Sequence, residues 1–190
     1  MAEDQKGFEG QIEDFYSKML SAIGKTTDDE IADMLKKQKK TIAVAESLTG
    51  GLISYRLTAV PGSSEFFIGG IVCYTNRVKV MDLGISASLI ATMGPVSSEV
   101  AVAMAENIRK RYKTEIGLAA TGVAGPTTVT PPKPIGLTYI GLSSDRGSTS
   151  KEVRLFGTRK EIREKASQAA LGVLWLHLTG QDDSEFAVNA

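Results

Sequence analysis

The spacing of apolar positions along the chain changes character near residue 40. Before it, five apolar side chains recur every three to four residues, which is typical of one amphipathic helix, at Phe8, Ile12, Phe15, Met19 and Ile23. A second helix is predicted from the start signal Thr-Asp-Asp-Glu at 27–30, with Ile31 and Leu35 on one side and a lysine-rich end. We therefore predict an N-terminal helical extension over residues 1–38.

After residue 40, short β-branched runs alternate with helical patterns. Strands are predicted at 41–45, 66–75, 115–121, 134–142 and 151–156. Helices are predicted at 51–60, 96–112 and 158–178. This order indicates an α/β fold, which we expect to be a three-layer α/β/α-type sandwich with a central mixed sheet. It would occupy residues 39–180 and be followed by a polar tail at 181–190.

Charge and cysteine content exclude several classes of partner. The chain has 22 basic and 22 acidic residues and a formal net charge of zero, so we expect neither a nucleic-acid nor a membrane partner. The polar N-terminus, the single cysteine and the absence of an apolar run of about 18–20 residues predict a soluble, cytoplasmic protein. Cys73 is most simply a small buried residue, because no second cysteine completes a metal site.

Three polar or glycine-rich segments, at 46–51, 121–126 and 156–159, follow predicted strands. Because open α/β sheets bind ligands beyond the carboxyl ends of their strands, we expect the three segments to line one pocket. The first carries a serine before two glycines and a helix, whose free N–H groups could face an anion or an oxyanion. The sequence leaves two functions open here: Ser47 is a nucleophile, or Ser47 or Thr49 merely caps the helix.

Two residues are candidates for the base that would activate Ser47. The only histidine, His177, lies on the last predicted helix, where a packed or half-exposed side chain is more typical than a catalytic one. Lys79 follows the predicted strand 66–75, and a neutral amine can accept a hydroxyl proton where burial lowers its pKa. Most lysines are solvated, so the spacing alone does not assign this role to Lys79.

Several motifs occur in a fixed order over residues 39–178. They are Ala-Glu-Ser-Leu-Thr-Gly-Gly at 45–51, Val-Pro-Gly-Ser-Ser at 60–64, Gly-Gly-Ile-Val-Cys-Tyr-Thr-Asn at 69–76 with Lys79, Val-Ser at 96–97, Ala-Thr-Gly-Val-Ala-Gly-Pro at 120–126 and Lys-Pro-Ile-Gly at 133–136. Together they resemble the CinA C-terminal domain family, which includes stand-alone nicotinamide mononucleotide amidohydrolases. The resemblance implies an α/β sandwich that assembles as a homo-oligomer.

The resemblance also implies a reaction and its catalytic residues. The reaction is hydrolysis of the carboxamide of nicotinamide mononucleotide, a pyridine mononucleotide, to nicotinic acid mononucleotide and ammonia in nucleotide salvage, with no cofactor and no metal. The family's nucleophile falls on Ser47, the lysine that activates it falls on Lys79, and the tyrosine of the strand end falls on Tyr74.

Substrate contacts are predicted from the chemistry that this reaction requires. We expect the N–H groups of Gly50 or Gly51 to hold the oxyanion, and the 121–125 loop with a guanidinium of Arg159 or Arg163 to hold the phosphate. The predicted substrate-binding residues are Thr49, Gly50, Gly51, Asn76, Thr121, Gly122, Gly125, Arg159 and Arg163.

Three positions depart from the family pattern. Thr-Thr-Val-Thr-Pro-Pro at 127–132 replaces a loop of the Asp-Gly-Gly-Thr type, Thr158 replaces an acid, and Leu48 replaces a cysteine. Two other functions therefore stay open: a catalytically silent nucleotide-binding or regulatory protein, and an oligomeric scaffold whose glycines serve only turns. The presence of both Ser47 and Lys79 favours the enzyme.

Overall fold

The structure is a computed structural model that describes residues 28–127 and 133–181. Three features predicted from the sequence lie outside the described residues: the first helix, residues 128–132 of the departing loop, and residues 182–190 of the polar tail.

The described residues form six α-helices and five strands. The helices are α1 (Asp28–Lys37), α2 (Leu52–Thr58), α3 (Asn76–Met81), α4 (Ala87–Met93), α5 (Ser98–Tyr112) and α6 (Arg159–Thr179). The strands are β1 (Ile42–Glu46), β2 (Phe67–Val72), β3 (Ile116–Gly122), β4 (Leu137–Ser144) and β5 (Gly147–Arg154). Their order along the chain is α1, β1, α2, β2, α3, α4, α5, β3, β4, β5 and α6, with a 3₁₀ turn at Ser63–Glu65 before β2. None of these helices combines the length and the apolarity that crossing a bilayer requires.

The five strands form one mixed sheet in the order β2-β1-β3-β4-β5. Strand β1 runs parallel to both β2 and β3, whereas β4 is antiparallel to β3 and to β5. The carboxyl ends of β1, β2, β3 and β5 therefore lie at the same edge of the sheet, the position at which α/β folds bind ligands. The predicted mixed sheet is confirmed.

Strand β1 is buried on both faces, because helices cover the sheet from both sides. Ile42 and Val44 face a core that includes residues of α1, α2 and α6. Ala43 and Ala45 face a second core with residues of α4 and α5. Alternate side chains of one strand thus enter two separate cores, which confirms the three-layer α/β/α arrangement.

Helix α5 packs unusually close to the sheet because two strand residues facing it are glycines. A Cβ on Gly117 would lie 2.1 Å from the Ala105 carbonyl oxygen, and one on Gly141 would lie 2.2 Å from that of Ala101. Both distances are far below van der Waals contact, so this approach is possible only without a side chain. The close packing holds the start of α5 beside the carboxyl end of β3.

The segment between residues 72 and 94 differs from the sequence-based prediction. The predicted strand 66–75 ends at Val72, and the helices α3 and α4 that follow were not predicted. Helix α3 begins after Thr75, whose hydroxyl accepts a hydrogen bond from the Val78 N–H at 3.3 Å. Lys79 therefore lies on a short helix and not at a strand end, as its place in the sequence had suggested.

The last two strands also have different limits from those predicted. Strand β4 begins at Leu137 rather than at 134, and β5 covers Gly147–Arg154 rather than 151–156. The two strands pair as a tight hairpin, with Ser144 opposite Gly147. The polar sequence of β5 concealed the first half of this strand, because only one of its residues, Val153, is buried.

Candidate active site

Ser47 follows the last residue of β1, and its main chain continues the pairing of β1 with β3. Its N–H donates to the Ala120 carbonyl of β3 at 2.9 Å, and its side chain is nearly buried. The chain then turns sharply through Gly50 and Gly51, whose φ angles of +58° and +101° are ones that glycine adopts most readily. The strand thus presents Ser47 at the carboxyl edge of the sheet, at the start of a tight strand-to-helix turn.

Lys79 reaches Ser47 from helix α3. Its Nζ lies 3.1 Å from Ser47 Oγ and 3.0 Å from the Cys73 carbonyl oxygen, and the residue is only 2% exposed. Among the described residues, no carboxylate forms an ion pair with this amine. Burial lowers the pKa of Lys79 below its ordinary value, although the nearby Cys73 partly opposes the shift. The amine is therefore suited to lose its proton and to accept the one on Ser47.

A cavity of about 230 Å³ opens beside this pair at the carboxyl edge of the sheet. Eight of the predicted site residues line it: Ser47, Tyr74, Asn76, Lys79, Thr121, Gly122, Gly125 and Arg159. The remaining lining residues are Leu48, Pro95, Val96, Val123, Ala124 and Thr127. The three segments that follow predicted strands all contribute, so they form one pocket as the sequence suggested.

Arg159 links two sides of the cavity. One of its terminal nitrogens donates to the Gly125 carbonyl oxygen at 2.6 Å, and the other donates to the Tyr74 hydroxyl. The Tyr74 hydroxyl thus contacts this guanidinium and makes no hydrogen bond to Lys79. Thr121, at the end of β3, donates its hydroxyl hydrogen to the Pro95 carbonyl oxygen at 2.8 Å. Arg159 is exposed where it lines the cavity, and each of its terminal nitrogens carries a second N–H that can donate to an anionic group of a ligand.

The predicted oxyanion donors, Gly50 and Gly51, are not directed at the cavity. The Gly51 N–H donates to a Glu46 carboxylate oxygen at 2.9 Å, and the Gly50 N–H donates to the Ser47 carbonyl oxygen at 3.2 Å. Neither glycine lines the cavity. Because both N–H groups already have acceptors, the expected oxyanion role does not fit this geometry. The two glycines instead shape the turn.

Glu46 is a buried residue of the site that the sequence analysis did not single out. Its carboxylate accepts hydrogen bonds from the N–H groups of Gly51, Ile53 and Ser54 at 2.9, 3.1 and 2.9 Å, and from the Ser54 hydroxyl at 2.6 Å. These N–H groups belong to the N-cap residue, Gly51, and to the first turn of α2, where they have no partner within the helix. An acid at the end of an otherwise apolar strand, just before a helix, is the signal that would have found it.

We expect Glu46→Gln to lower the free energy of unfolding by about 2–3 kcal/mol, because an amide nitrogen would face N–H donors and leave buried groups unsatisfied. Urea denaturation measures the change. Glu106→Gln is the control, since the one ion pair of Glu106 within residues 28–127 and 133–181 is a surface pair with Lys110, and its loss should change stability by less than about 0.5 kcal/mol. A Glu46→Gln protein as stable as the wild type would contradict this role of the carboxylate.

Two further predicted residues lie behind the turn and not in the cavity. Arg163 donates from Nε to the Leu48 carbonyl oxygen and from a terminal nitrogen to that of Thr49, both at 2.9 Å. Thr49 is fully buried, and its hydroxyl oxygen has no hydrogen-bond partner among the described residues. Their predicted contact with substrate is therefore not direct in this structure.

His177 and Thr158 take structural positions. His177 lies near the C-terminal end of α6, where its Nδ1 is 2.7 Å from a terminal nitrogen of Arg146, and it lines a different cavity from Ser47. The geometry therefore favours Lys79 over His177 as the base. Thr158 caps α6 in a reciprocal pair with Glu161, so it fills the capping position where the family pattern has an acid.

Comparisons with known proteins agree with this architecture. Residues 24–178 match the family model of the CinA C-terminal domain. The chain is 43% identical over 176 residues to a CinA-like protein of Dictyoglomus thermophilum and 44% identical over 156 residues to one of Acidobacterium capsulatum, covering 90% and 82% of this chain. It spans only 43% and 38% of the lengths of those two relatives.

A solved structure shares both the fold and appreciable sequence identity. The competence/damage inducible protein CihA of Agrobacterium tumefaciens superposes with a TM-score of 0.72 at 32% identity. The match covers 89% of this chain and 96% of that protein. The match thus extends over nearly the whole of that solved chain.

Proposed function

This chain belongs to the CinA C-terminal domain family, and from that premise we propose that it hydrolyses the carboxamide of nicotinamide mononucleotide to nicotinic acid mononucleotide and ammonia. The observation that carries the proposal is the buried pair of Ser47 Oγ and Lys79 Nζ, 3.1 Å apart at the wall of a cavity. An unreactive amide needs an activated nucleophile, and this pair supplies a hydroxyl beside an amine with a lowered pKa.

The first half of the reaction forms an acyl-enzyme. Ser47 Oγ attacks the carboxamide carbon while Lys79 Nζ accepts the hydroxyl proton, which gives a tetrahedral intermediate with a negatively charged oxygen. The intermediate collapses by breaking its C–N bond, and the Lys79 ammonium protonates the departing nitrogen, which leaves as ammonia. The nicotinoyl group of the nucleotide is then joined to Ser47 as an ester, and Lys79 is neutral again.

The second half repeats the proton transfers with water. Lys79 takes a proton from a water molecule that attacks the ester carbonyl. The bond between the acyl carbon and Ser47 Oγ breaks, Lys79 returns the proton to Ser47, and nicotinic acid mononucleotide leaves as its carboxylate. These steps use only groups of the chain, the substrate and water.

The size and lining of the cavity suit the reacting end of this substrate. About 230 Å³ is less than the roughly 300–1,000 Å³ of typical ligand pockets, so the cavity would enclose the carboxamide and ring while the ribose phosphate extends over the rim. Arg159 stands at that rim and offers a planar cation to a phosphate.

The test follows ammonia and nicotinic acid mononucleotide after nicotinamide mononucleotide is mixed with the purified protein, with a Ser47→Ala protein prepared in parallel as control. We expect turnover by the wild type alone. If the wild type binds the nucleotide but releases no ammonia, the proposal fails, and the alternative of a catalytically silent nucleotide-binding protein is favoured. Assembly as a homo-oligomer and a cytoplasmic location remain predictions, and light scattering coupled to size-exclusion chromatography measures the first.

A further inference from the structure

The turn after Ser47 is held by two charged side chains of opposite sign. From one side, the Glu46 carboxylate accepts the N–H groups at the start of α2. From the other, Arg163 of α6 donates to the Leu48 and Thr49 carbonyl oxygens, both at 2.9 Å. Nε and a terminal nitrogen of one guanidinium thus donate hydrogen bonds to the carbonyls of two successive peptide groups. This bidentate geometry is specific to arginine.

Gly50 keeps space for this guanidinium. A Cβ at Gly50 would lie 2.9 Å from a terminal nitrogen of Arg163, closer than a side chain tolerates. The glycine also has a φ of +58°, which a residue with a side chain adopts less readily. The Thr-Gly-Gly sequence after the nucleophile is therefore matched to an arginine that lies more than 110 residues further along the chain.

The hydrogen bonds of the turn leave two donors near Ser47 unused. The Ser47 and Gly50 N–H groups donate to the Ala120 and Ser47 carbonyl oxygens. Within residues 28–127 and 133–181, no protein group accepts the N–H of Leu48 or of Thr49. Leu48 lines the cavity together with Ser47, and its carbonyl is one of the two that Arg163 holds.

We propose that Arg163 is a positioning residue of the nucleophile turn, which fixes the peptide groups after Ser47 so that the Leu48 N–H serves as an oxyanion donor. The inference rests on the proposed function, because it assigns an oxyanion donor of that reaction. By holding the Leu48 and Thr49 carbonyl oxygens, the guanidinium fixes the orientation of the main chain on the far side of Leu48, and with it the direction of the Leu48 N–H beside the cavity.

This role differs from the phosphate contact that the sequence suggested for Arg163. Arg163 does not line the cavity, whereas Arg159, one helical turn earlier, does. The two arginines of α6 therefore have separate tasks: Arg159 faces the ligand, and Arg163 faces the backbone that carries the nucleophile. The two roles would have different kinetic effects on substitution. A residue that binds the phosphate contributes to substrate binding, whereas a positioning residue contributes to stabilisation of the transition state.

The test compares Arg163→Lys with the wild type on nicotinamide mononucleotide and on nicotinamide riboside, which lacks the phosphate. We expect kcat to fall about 10²–10³-fold on both substrates, the usual loss for a damaged oxyanion site, with KM within about twofold. A rise in KM confined to the nucleotide, or an unchanged kcat, would overturn the inference. Lys160→Gln is the matched control on the same helix, since this exposed lysine pairs with Glu164 and with no other carboxylate of the described residues, and it should leave kcat unchanged.

Two further measurements distinguish the expected loss of activity from misfolding and from a wrong choice of substrate. Gly50→Ala should displace the guanidinium and lower kcat in the same way, and the double variant with Arg163→Lys should lose no more than the larger single loss. Thermal unfolding checks that each variant is folded.

The rate at which a small fluorophosphonate phosphonylates Ser47 measures the reactivity of the nucleophile without any amide substrate. In this reaction the Oγ–P bond forms and fluoride leaves. We expect Arg163→Lys to slow it by at least tenfold. Labelling of a wild type that hydrolyses neither nicotinamide compound would refute the proposed substrate while still testing Arg163. A Ser47 that reacts with neither the substrates nor the probe overturns both proposals.

Discussion

Ser47→Ala is expected to reduce hydrolysis of nicotinamide mononucleotide by about 10⁴-fold or more, because alanine offers no oxygen to form the acyl-enzyme. The fold should be kept, since the Ser47 main chain makes the hydrogen bond to Ala120 and the one hydrogen bond of its side chain among the described residues is with Lys79. Ammonia release under saturating substrate measures the loss, and circular dichroism measures the fold.

The double variant Ser47→Ala with Lys79→Met tests whether Lys79 acts only through Ser47. Once the nucleophile is absent, an amine that acts only on it has nothing to activate, so the double variant should be no slower than Ser47→Ala alone. Ser88→Ala, an exposed serine at the start of α4, is the control and should retain full activity. Losses that multiplied in the double variant would mean that Lys79 and Ser47 act independently, contrary to the proposed mechanism.

The sheet could be predicted from the sequence where burial imposed a pattern. Strand β1 is apolar from Ile42 to Ala45 because helices cover both of its faces, and Ser98–Tyr112 carries a clear start signal in the Ser97 cap. Strand β5 was predicted only in part, because it lies at the edge of the sheet and is mostly polar. Apolar residues are periodic where an element packs against a core, so the pattern is weak where an element has little contact with a core.

The candidate site was predicted by residue type but not by arrangement. The motifs indicated Ser47 and Lys79, yet their approach to 3.1 Å depends on β1 and β2 being parallel neighbours and on a short helix, α3, that carries no strong sequence signal. The positions of Gly50 and Gly51 suggested oxyanion donors because free N–H groups are the usual property of a helix start. That expectation overlooked Glu46, the adjacent acid that takes the Gly51 N–H.

Charged groups near Ser47 fall into two classes once their partners are known. Glu46 and Arg163 are satisfied by backbone groups and fix the shape of the turn. Lys79 is different, because one of its two hydrogen bonds goes to the nucleophile itself and no carboxylate offsets its charge within the described residues. A buried lysine without a counterion is costly to keep protonated, which is the property that a general base requires.

Lys79→Arg and Lys79→Met are both expected to lower kcat by about 10³-fold or more, for different reasons. Arginine keeps a permanent positive charge and cannot accept the Ser47 proton, whereas methionine has a similar length but no basic atom. If Lys79→Arg remained active, proton acceptance by this residue would be ruled out. Lys110→Met on the surface of α5 is the control for loss of a lysine, since Glu106 is its one ion-pair partner in the part of the chain that the structure describes.

The difference in stability between the wild type and Lys79→Met should change with pH. Because burial lowers the pKa of Lys79 in the folded protein, the unfolded chain binds more protons between that lowered value and the ordinary value of 10.5. Wild-type stability relative to Lys79→Met should therefore be lowest below the folded pKa and increase as pH rises toward 10.5, by about 1.4 kcal/mol for each unit of pKa difference. Urea denaturation of both proteins at several pH values between 6 and about 10 measures this difference. A difference that stayed constant over the range would mean that the Lys79 amine titrates like a solvated lysine, and a buried neutral base would then have to be abandoned.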